Sequence, residues 1–444
     1  MPGASPHGIK PATRLRWLIA WLTMSGTAIS YIDRANLAVS LPFMEHDLHI
    51  GKEVTGVLLA CFFFTYAPGQ LIGGRVVDAV GPRLAAGFAT IWWSFFTAVN
   101  AVAGGLASLV VFRLGLGIGE AVGPPAFGKV VGRWFPLRER ALAAAVYDSG
   151  SRLGTALALP IVTVIISVFG WRASFLITGC LGLVWVVGWF RLYRDPREHP
   201  RLDPAELAYI ENGGARTVAP AGAPPAARGR WVDLLRHRTI WGMMIGFFGL
   251  NFAFYFFITW FPSYLVEARG LSLLKTGFLG MIPPLCAFLA EFVGGWLSDR
   301  LTVRYGPTRG RKIPIVVSMC LASSIALAAV APSAGLAIAL LALSMSCLAI
   351  AASSIWSLPA DVAPTEAQVG SVGGLQNFAS NLAGVLSPLV FGFFAGSGPT
   401  AFVVPLVATG AVVVVGALSY LVLCGRFEPL PVRGAAGAPV REPA

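Results

Sequence analysis

Twelve long apolar runs make up most of the chain, and they limit its possible folds more than any other feature. Each run is about as long as the 20 residues that an α-helix needs to cross the hydrocarbon core of a bilayer. The runs are continuous and do not alternate with polar residues, which excludes the strands of a membrane barrel. The sequence therefore predicts an all-α membrane protein with twelve transmembrane helices. The runs cover about 17–41, 53–77, 83–103, 106–131, 140–166, 171–192, 239–265, 275–299, 312–331, 334–358, 368–394 and 400–424.

Composition agrees with a membrane protein. Of the 444 residues, 56% are hydrophobic and only 12% are charged, and the mean hydropathy is +0.72. Soluble domains carry about 25% charged residues, because their exterior must be wet. This composition excludes a large soluble enzyme.

One long polar break divides the twelve runs six and six. Residues 193–238 are rich in Arg, Pro and Ala, and within them 203–212 favours a short amphipathic surface helix. The pattern predicts two six-helix bundles with terminal tails, of which the Pro/Gly/Ala-rich last one should be disordered. The predicted units are a cytoplasmic tail 1–16, an N-terminal bundle 17–192, a cytoplasmic linker 193–238, a C-terminal bundle 239–424 and a cytoplasmic tail 425–444.

Lys and Arg predict the orientation of the helices. They collect on alternate flanks, whereas the opposite flanks hold only Lys52, Arg172, Arg269 and Lys275. Since positive charge favours the cytoplasmic side, both termini should be cytoplasmic. This topology also accounts for the net charge of +12, so we expect no nucleic-acid partner. The six cysteines are scattered singly without metal-ligand spacing, so we expect no metal and no cofactor.

The two halves share a repeated motif. Residues 73–83 hold a Gly pair, Asp78 four residues after the second Gly, and Arg83 beyond it. Residues 294–300 repeat the pattern with Asp299 and Arg300. Small residues let helices approach closely, and an Asp at a helix end can pair with Arg across the contact. We expect a latch at the cytoplasmic ends of the bundles.

Charged residues inside apolar runs indicate function. Asp33 and Arg34 lie side by side in the first run, where each charge costs roughly 2.5–3.5 kcal/mol unless it faces protein or a wet cavity. Arg113 and Glu120 are seven residues apart and share a helix face. A switch of partner would let Glu120 carry a proton, although a static salt bridge between spans one and four is the alternative. Arg34 offers a donor fork suited to a carboxylate.

Several segments, taken in their order and spacing, resemble one family. Together with the repeated Gly-xxx-Asp-xx-Gly-x-Arg pattern, they make the chain over about 15–425 resemble the major facilitator superfamily. Within it the chain resembles the anion:cation symporter branch, which includes bacterial sugar-acid carriers and animal sialic-acid and vesicular glutamate carriers. The resemblance implies that Asp33 and Glu120 are protonation sites tied to Arg113, and that Arg34 meets the substrate carboxylate. The segments are Tyr31-Ile-Asp-Arg-Ala-Asn36, Arg113-Leu-Gly-Leu-Gly-Ile-Gly-Glu120, Gly170-Trp-Arg-Ala-Ser-Phe175, Trp260-Phe-Pro-Ser-Tyr-Leu265 and Gly373-Gly-Leu-Gln-Asn-Phe378.

Further residues of the first half are candidates for substrate contact. The resemblance places Tyr31 and Tyr66 at substrate positions, whereas ordinary packing is the alternative for both. Asp148 and Arg152 are spaced for a local ion pair on span five, unless Arg152 faces the cavity as a second cation. The resembled carriers often have Gln near Ser151. Ser151-Arg152 departs from that pattern, which counts against recognition of sugar hydroxyls there and leaves room for a dicarboxylate or another acid.

The second half contributes polar or amphipathic residues inside apolar runs, which need partners when buried. Either a substrate hydroxyl or a neighbouring helix could supply the hydrogen-bond partner. The resemblance places Asn377 and the span-ten residues Ser353, Ser354 and Trp356 at substrate contacts. Glu291 is interpreted as a gate or inter-helix contact. The candidates are Asn251, Ser353, Ser354, Trp356, Gln376 and Asn377.

The sequence thus favours a secondary transporter: proton-coupled uptake of a small organic anion, a sugar acid or another carboxylate, by alternating access. All five His residues lie outside the runs, and we find no catalytic set or phosphate-binding loop, so we expect neither an enzyme nor an ATP-driven pump. The alternatives are a proton-driven exporter of drugs or metabolites with the same fold and a non-transporting membrane sensor. The expected partners are the anion, protons and the bilayer of the inner membrane, and we expect a monomer.

Overall fold

A computed structural model describes residues 14–48, 51–215, 231–365, 368–396 and 400–431. Within these ranges the chain is helical and forms no strand. Most of the predicted N-terminal tail, the middle of the predicted linker and the end of the C-terminal tail lie outside the described residues, and so does most of the region predicted to be disordered.

Seventeen α-helices are described. Short 3₁₀ turns lie at Asn100–Val102 and Pro196–Glu198, and a π turn lies at Tyr264–Ala268. The helix expected in the linker is present as α7. The helices are Leu15–Leu48 (α1), Lys52–Val99 (α2), Leu106–Glu120 (α3), Gly123–Trp134 (α4), Leu137–Phe169 (α5), Trp171–Leu192 (α6), Pro204–Asn212 (α7), Trp231–Leu234 (α8), Arg238–Thr259 (α9), Phe261–Ser263 (α10), Leu273–Gly280 (α11), Ile282–Ala322 (α12), Ile325–Ala328 (α13), Ala334–Ile355 (α14), Leu358–Val362 (α15), Val369–Phe394 (α16) and Val403–Val422 (α17).

Two helices each combine two of the predicted spans. The chain bends within α2 at Gly81 (φ 80°) and within α12 at Gly306 (φ 81°), and a proline follows each glycine. A glycine adopts positive φ without steric cost, and a proline suits the first turn of the helix that resumes. Gly81 lies in the gap that the sequence predicted between spans two and three, and Gly306 lies in the gap predicted between spans eight and nine.

Proline also divides two other predicted spans. Helix α3 ends at Glu120, four residues before Pro124, and α14 ends at Ile355, four residues before Pro359. A proline ring clashes with the carbonyl of the fourth residue before it, which breaks a helix at that point. Glu120 and Trp356 consequently lie at helix breaks, one in each half of the chain.

Nine stretches of the described residues are long and apolar enough to cross a membrane by length and composition. Large apolar side chains such as Phe88, Trp296 and Phe394 are exposed on the outside of these helices, where lipid would cover them. Helix α1 and the part of α2 before Ile72 are not among the nine. The stretches are Ile72–Val102, Leu106–Trp134, Leu142–Phe169, Trp171–Leu192, Arg238–Thr259, Leu273–Ala328, Ala334–Val362, Val369–Phe394 and Val403–Val422.

The two halves approach each other closely where α2 begins and α16 ends. We call this the Lys52 end, and the opposite end, where α2 bends, the Asp78 end. Lys52 pairs with Glu267 at 2.6 Å and donates to the Gly396 carbonyl at 2.8 Å. A Cβ on Gly56 would lie 3.0 Å from the Gly392 Cα, so two glycines permit this backbone contact.

Candidate functional site

A cavity of about 140 Å³ lies between the two halves, near the middle of the long helices. Its polar wall is formed by side chains from α1, α2, α3 and α5 on one side and from α9 and α16 on the other, and α14 adds apolar side chains. Aromatic rings cover much of the remaining surface. The polar and aromatic lining residues include Tyr31, Arg34, Tyr66, Gln70, Glu120, Asp148, Ser151, Arg152, Asn251, Tyr255, Trp356, Asn377, Ser380 and Asn381.

Arg34 is the most enclosed cation of the cavity. Its Nε donates to Glu120 Oε2 at 2.5 Å, and both side chains are buried. The guanidinium carbon lies 4.6, 4.7 and 4.5 Å from the ring centres of Tyr31, Phe62 and Tyr66. Cation–π attraction to three ring faces and the charged hydrogen bond together hold the guanidinium in place.

Glu120 therefore pairs with Arg34 on the neighbouring α1. This is a salt bridge between spans one and four, the alternative that the sequence left open beside the pairing with Arg113. Arg113 is buried, and its guanidinium lies 5.6 Å from the Phe62 ring centre. Among the described residues, Arg113 Nε and Glu120 Oε1 have no hydrogen-bond partner. Arg113 supplies a second buried positive charge close to the pair.

Asp33 does not line the cavity. Successive helix residues are about 100° apart, and Asp33 points away from the face that Arg34 occupies. It is 1% exposed, and its two carboxylate oxygens and the Thr97 hydroxyl have no hydrogen-bond partner within the described part of the chain. An ionised carboxylate without partners is costly in such a place, whereas a protonated one is not.

A second ion-pair cluster forms at the cavity wall on α5. Arg152 Nη1 lies 3.4 Å from Asp148 Oδ2, as the local spacing predicted. The same nitrogen lies 2.7 Å from Glu291 Oε2 on α12, so Glu291 makes an inter-helix contact that joins the two halves. Ser151 also lines the cavity and is buried.

In the second half, three of the six predicted residues line the cavity, namely Asn251, Trp356 and Asn377. Asn377 donates to Gln70 Oε1 across the halves at 2.7 Å, and Asn251 donates to the Phe247 carbonyl at 2.8 Å. The amide groups are thus held by protein partners and still face the cavity.

The other three residues lie elsewhere. Ser353 lines a second cavity, of about 630 Å³, towards the Asp78 end. Ser354 is buried, and its hydroxyl lacks a hydrogen-bond partner among described residues. Gln376 is buried and donates to the Ile355 carbonyl at 3.4 Å.

The sequence reasoning missed two amides of the cavity. Gln70 follows Tyr66 by four residues, and Asn381 follows Asn377 by four, so each lies one turn beyond a predicted contact on the same face. Asn381 donates to Gln70 Oε1 at 3.4 Å. Helical spacing from the predicted residues would have found both.

The repeated Asp residues each hold a cation of their own half. Asp78 pairs with Lys129 at 2.8 Å, and Asp299 pairs with Arg311 at 3.1 Å. Arg83 instead donates to the Phe190 carbonyl at 2.8 Å, and the Arg300 guanidinium lies 5.3 Å from the Trp296 ring centre. The cations recorded beside the repeated aspartates are therefore Lys129 and Arg311.

Three comparisons identify the family. The profile of the Major Facilitator Superfamily matches residues 23–388. The "D-galactonate transporter" of Escherichia coli is 36% identical, over 94% of this chain and 97% of its own. The "Probable galactarate/D-glucarate transporter" of Bacillus subtilis is 33% identical, over 96% and 94%. A crystal structure of a bacterial homolog of the human lysosomal transporter Spinster, inward-facing and unoccupied, has a TM-score of 0.73 at 18% identity, over 94% of this chain and 98% of its own.

This chain belongs to the Major Facilitator Superfamily. It has the all-helical fold of that family, as the structural neighbour shows. It is a multi-pass transporter of the cell's inner membrane and not an enzyme. The family resemblance inferred from the sequence motifs is confirmed.

Proposed function

We propose that the protein takes up a small organic anion, a sugar acid, together with protons. The observation that carries this proposal is the buried pair of Arg34 and Glu120 at the cavity wall. A substrate carboxylate can replace Glu120 on the Arg34 fork, and the displaced Glu120 is then most stable when it is protonated. Anion binding and proton uptake thereby become one event. The sugar-acid transporters among the relatives support this substrate class.

Asp33 is the second proton carrier in this proposal. Its buried, unpartnered oxygens favour the neutral acid until an opening towards water allows ionisation. Arg113, close to Glu120, favours the ionised form of Glu120 once the substrate has left. Two protons and one monoanion would move one net positive charge, worth about 2.3 kcal/mol per 100 mV of membrane potential.

The polar and aromatic residues of the cavity would orient the remainder of the substrate. Tyr31 and Tyr66 flank the Arg34 guanidinium, and Asn377 faces it from the other half. We propose that Ser151 and Asn251 add hydrogen bonds to substrate hydroxyls, and that Trp356, at the α14 break, closes one wall. Ser353, Ser354 and Gln376 support that wall from behind.

We further propose twelve crossings in two six-helix bundles, with both termini in the cytoplasm and the Lys52 end outside. This places the Lys- and Arg-rich flanks inside. Transport would then be a rocking of the bundles around the cavity. Opening to the outside separates Lys52 from Glu267. In this proposal Asp78 with Lys129 and Asp299 with Arg311 form the cytoplasmic latches, while Arg83 and Arg300 add positive charge at the same end.

The test is uptake of D-galactonate by the purified protein in proteoliposomes. With an inward proton gradient the wild type should accumulate the anion. Asp33→Asn should lose accumulation but retain exchange of labelled for unlabelled substrate, since exchange needs no net proton movement. Equal accumulation with and without the gradient would refute proton coupling.

A further inference from the structure

A second buried guanidinium shares the cavity with Arg34. Arg152 lies on α5, and its side chain is 8% exposed. Both arginines line the same space. Tyr31 lines this space as well, and its ring centre lies 4.6 Å from the Arg34 guanidinium carbon. The cavity therefore offers two fixed cations instead of one.

Arg152 has two carboxylate partners, Asp148 on its own helix and Glu291, which comes from the other half of the chain and from outside the central cavity. Glu291 lines the second cavity and not the central one, whereas Arg152 lines the central one. Glu291 Oε2 lies 2.7 Å from Arg152 Nη1, yet that oxygen makes no hydrogen bond of acceptable geometry within the described residues. The contact is thus a charge contact at one corner of the guanidinium.

A guanidinium can donate two parallel hydrogen bonds to one carboxylate. The contacts recorded for Arg152, to Asp148 at 3.4 Å and to Glu291 at 2.7 Å, both involve Nη1. A carboxylate arriving from the cavity can therefore meet Arg152 with better geometry than Glu291 does. Glu291 then turns towards the second cavity, which it already lines.

We propose that Arg152 is a second carboxylate subsite and that the substrates of this protein are dicarboxylic sugar acids. One carboxylate binds Arg34 and the other binds Arg152, where Glu291 substitutes for it in the empty protein. This inference rests on the proposed function, because it takes Arg34 as the first carboxylate site. It adds a selectivity: an acid that carries a carboxylate at each end is preferred over its one-carboxylate counterpart.

The experiment uses a matched pair of acids. Galactarate and D-galactonate have the same carbon skeleton and the same hydroxyl arrangement, and they differ only at the last carbon, which is a carboxylate in the first and a hydroxymethyl group in the second. Affinities are measured by titration calorimetry on the purified full chain and by competition in proteoliposome exchange. The wild type should bind galactarate more tightly.

Arg152→Gln should weaken galactarate binding by about tenfold or more, since a charged hydrogen-bond pair is lost, and should change galactonate binding less than about twofold. Glu291→Gln removes the competing carboxylate and should tighten galactarate binding only. Lys52→Gln is the control, because it breaks another inter-bundle ion pair away from the cavity and should affect both acids alike. If Arg152→Gln fails to fold, Arg152→Lys replaces it as the test, because it retains the positive charge but removes the two parallel hydrogen bonds that the guanidinium can donate.

The possible failures are distinguishable. If Arg152→Gln weakens both acids equally, Arg152 only joins the two halves and the subsite is refuted. If the wild type binds galactonate but not galactarate, the dicarboxylate preference is refuted while the proposed function stands. If neither acid binds, the proposed function itself fails.

Discussion

Replacement of Arg34 by lysine tests the anion site most selectively. The substitution preserves one positive charge near Glu120 but removes the planar fork that faces the cavity. Arg34 Nε donates to Glu120 at 2.5 Å, and the guanidinium lies 4.5–4.7 Å from three ring centres. An ammonium group is a point donor and cannot hold Glu120 or a substrate carboxylate with two parallel bonds.

The expected magnitude follows from the bond that is lost. One hydrogen bond to a charged group is worth about 1.5–3 kcal/mol. At about 1.4 kcal/mol per factor of ten, Arg34→Lys should bind a sugar acid about 10- to 150-fold more weakly. Because the charge remains, Glu120 still has a partner, and we expect the protein to fold.

Titration calorimetry with D-galactonate and galactarate measures the change, and thermal unfolding checks the fold. Arg172→Lys is the matched control, because Arg172 is exposed and lies 3.7 Å from Asp47 away from the cavity. It should leave both the affinity and the Tm unchanged. A folded Arg34→Lys protein whose affinity lies within twofold of the wild type would refute the role of the fork.

Two further substitutions test the packing around the site. Gly117→Ala would place a Cβ 2.4 Å from the Phe62 carbonyl oxygen, so it should destabilise the fold by about 1–3 kcal/mol and lower the Tm. Gly128→Ala is the control, because its Cβ would meet nothing within 4 Å. Equal Tm values for the two variants would contradict the packing argument. Gln70→Ala removes the oxygen that accepts the hydrogen bond from Asn377, so the KM for both acids should rise by about fivefold to tenfold, the effect of losing one neutral hydrogen bond. An unchanged KM would show that the Gln70–Asn377 hydrogen bond has no part in substrate binding.

The fold could be predicted from the sequence because a bilayer leaves few alternatives. Continuous apolar runs of helix length require helices, and the repeated Gly-Asp motif indicates two related halves. The family follows from the same motifs. What the sequence did not indicate was local: the apolar runs show gaps between spans two and three and between spans eight and nine, but not that Gly81 and Gly306 make the turns there with positive φ.

The site could be predicted only where one helix determines it. The different faces of Asp33 and Arg34 follow from the helical repeat, and so does the contact of Asp148 with Arg152. The sequence could not decide the partner of Glu120, because it left both Arg113 on the same helix and a salt bridge between spans one and four open. The contact between Arg152 and Glu291 joins residues 139 positions apart across the two halves, which no spacing within a helix can indicate.

The central claim is that a monoanionic sugar acid moves together with an excess of protons. The most direct test is the current that D-galactonate induces in proteoliposomes with an acidic exterior. For the monoanion we expect an inward positive current that increases as the exterior becomes more acidic and that is absent from Arg34→Ala. Uptake without current, at a rate independent of pH, would contradict the account.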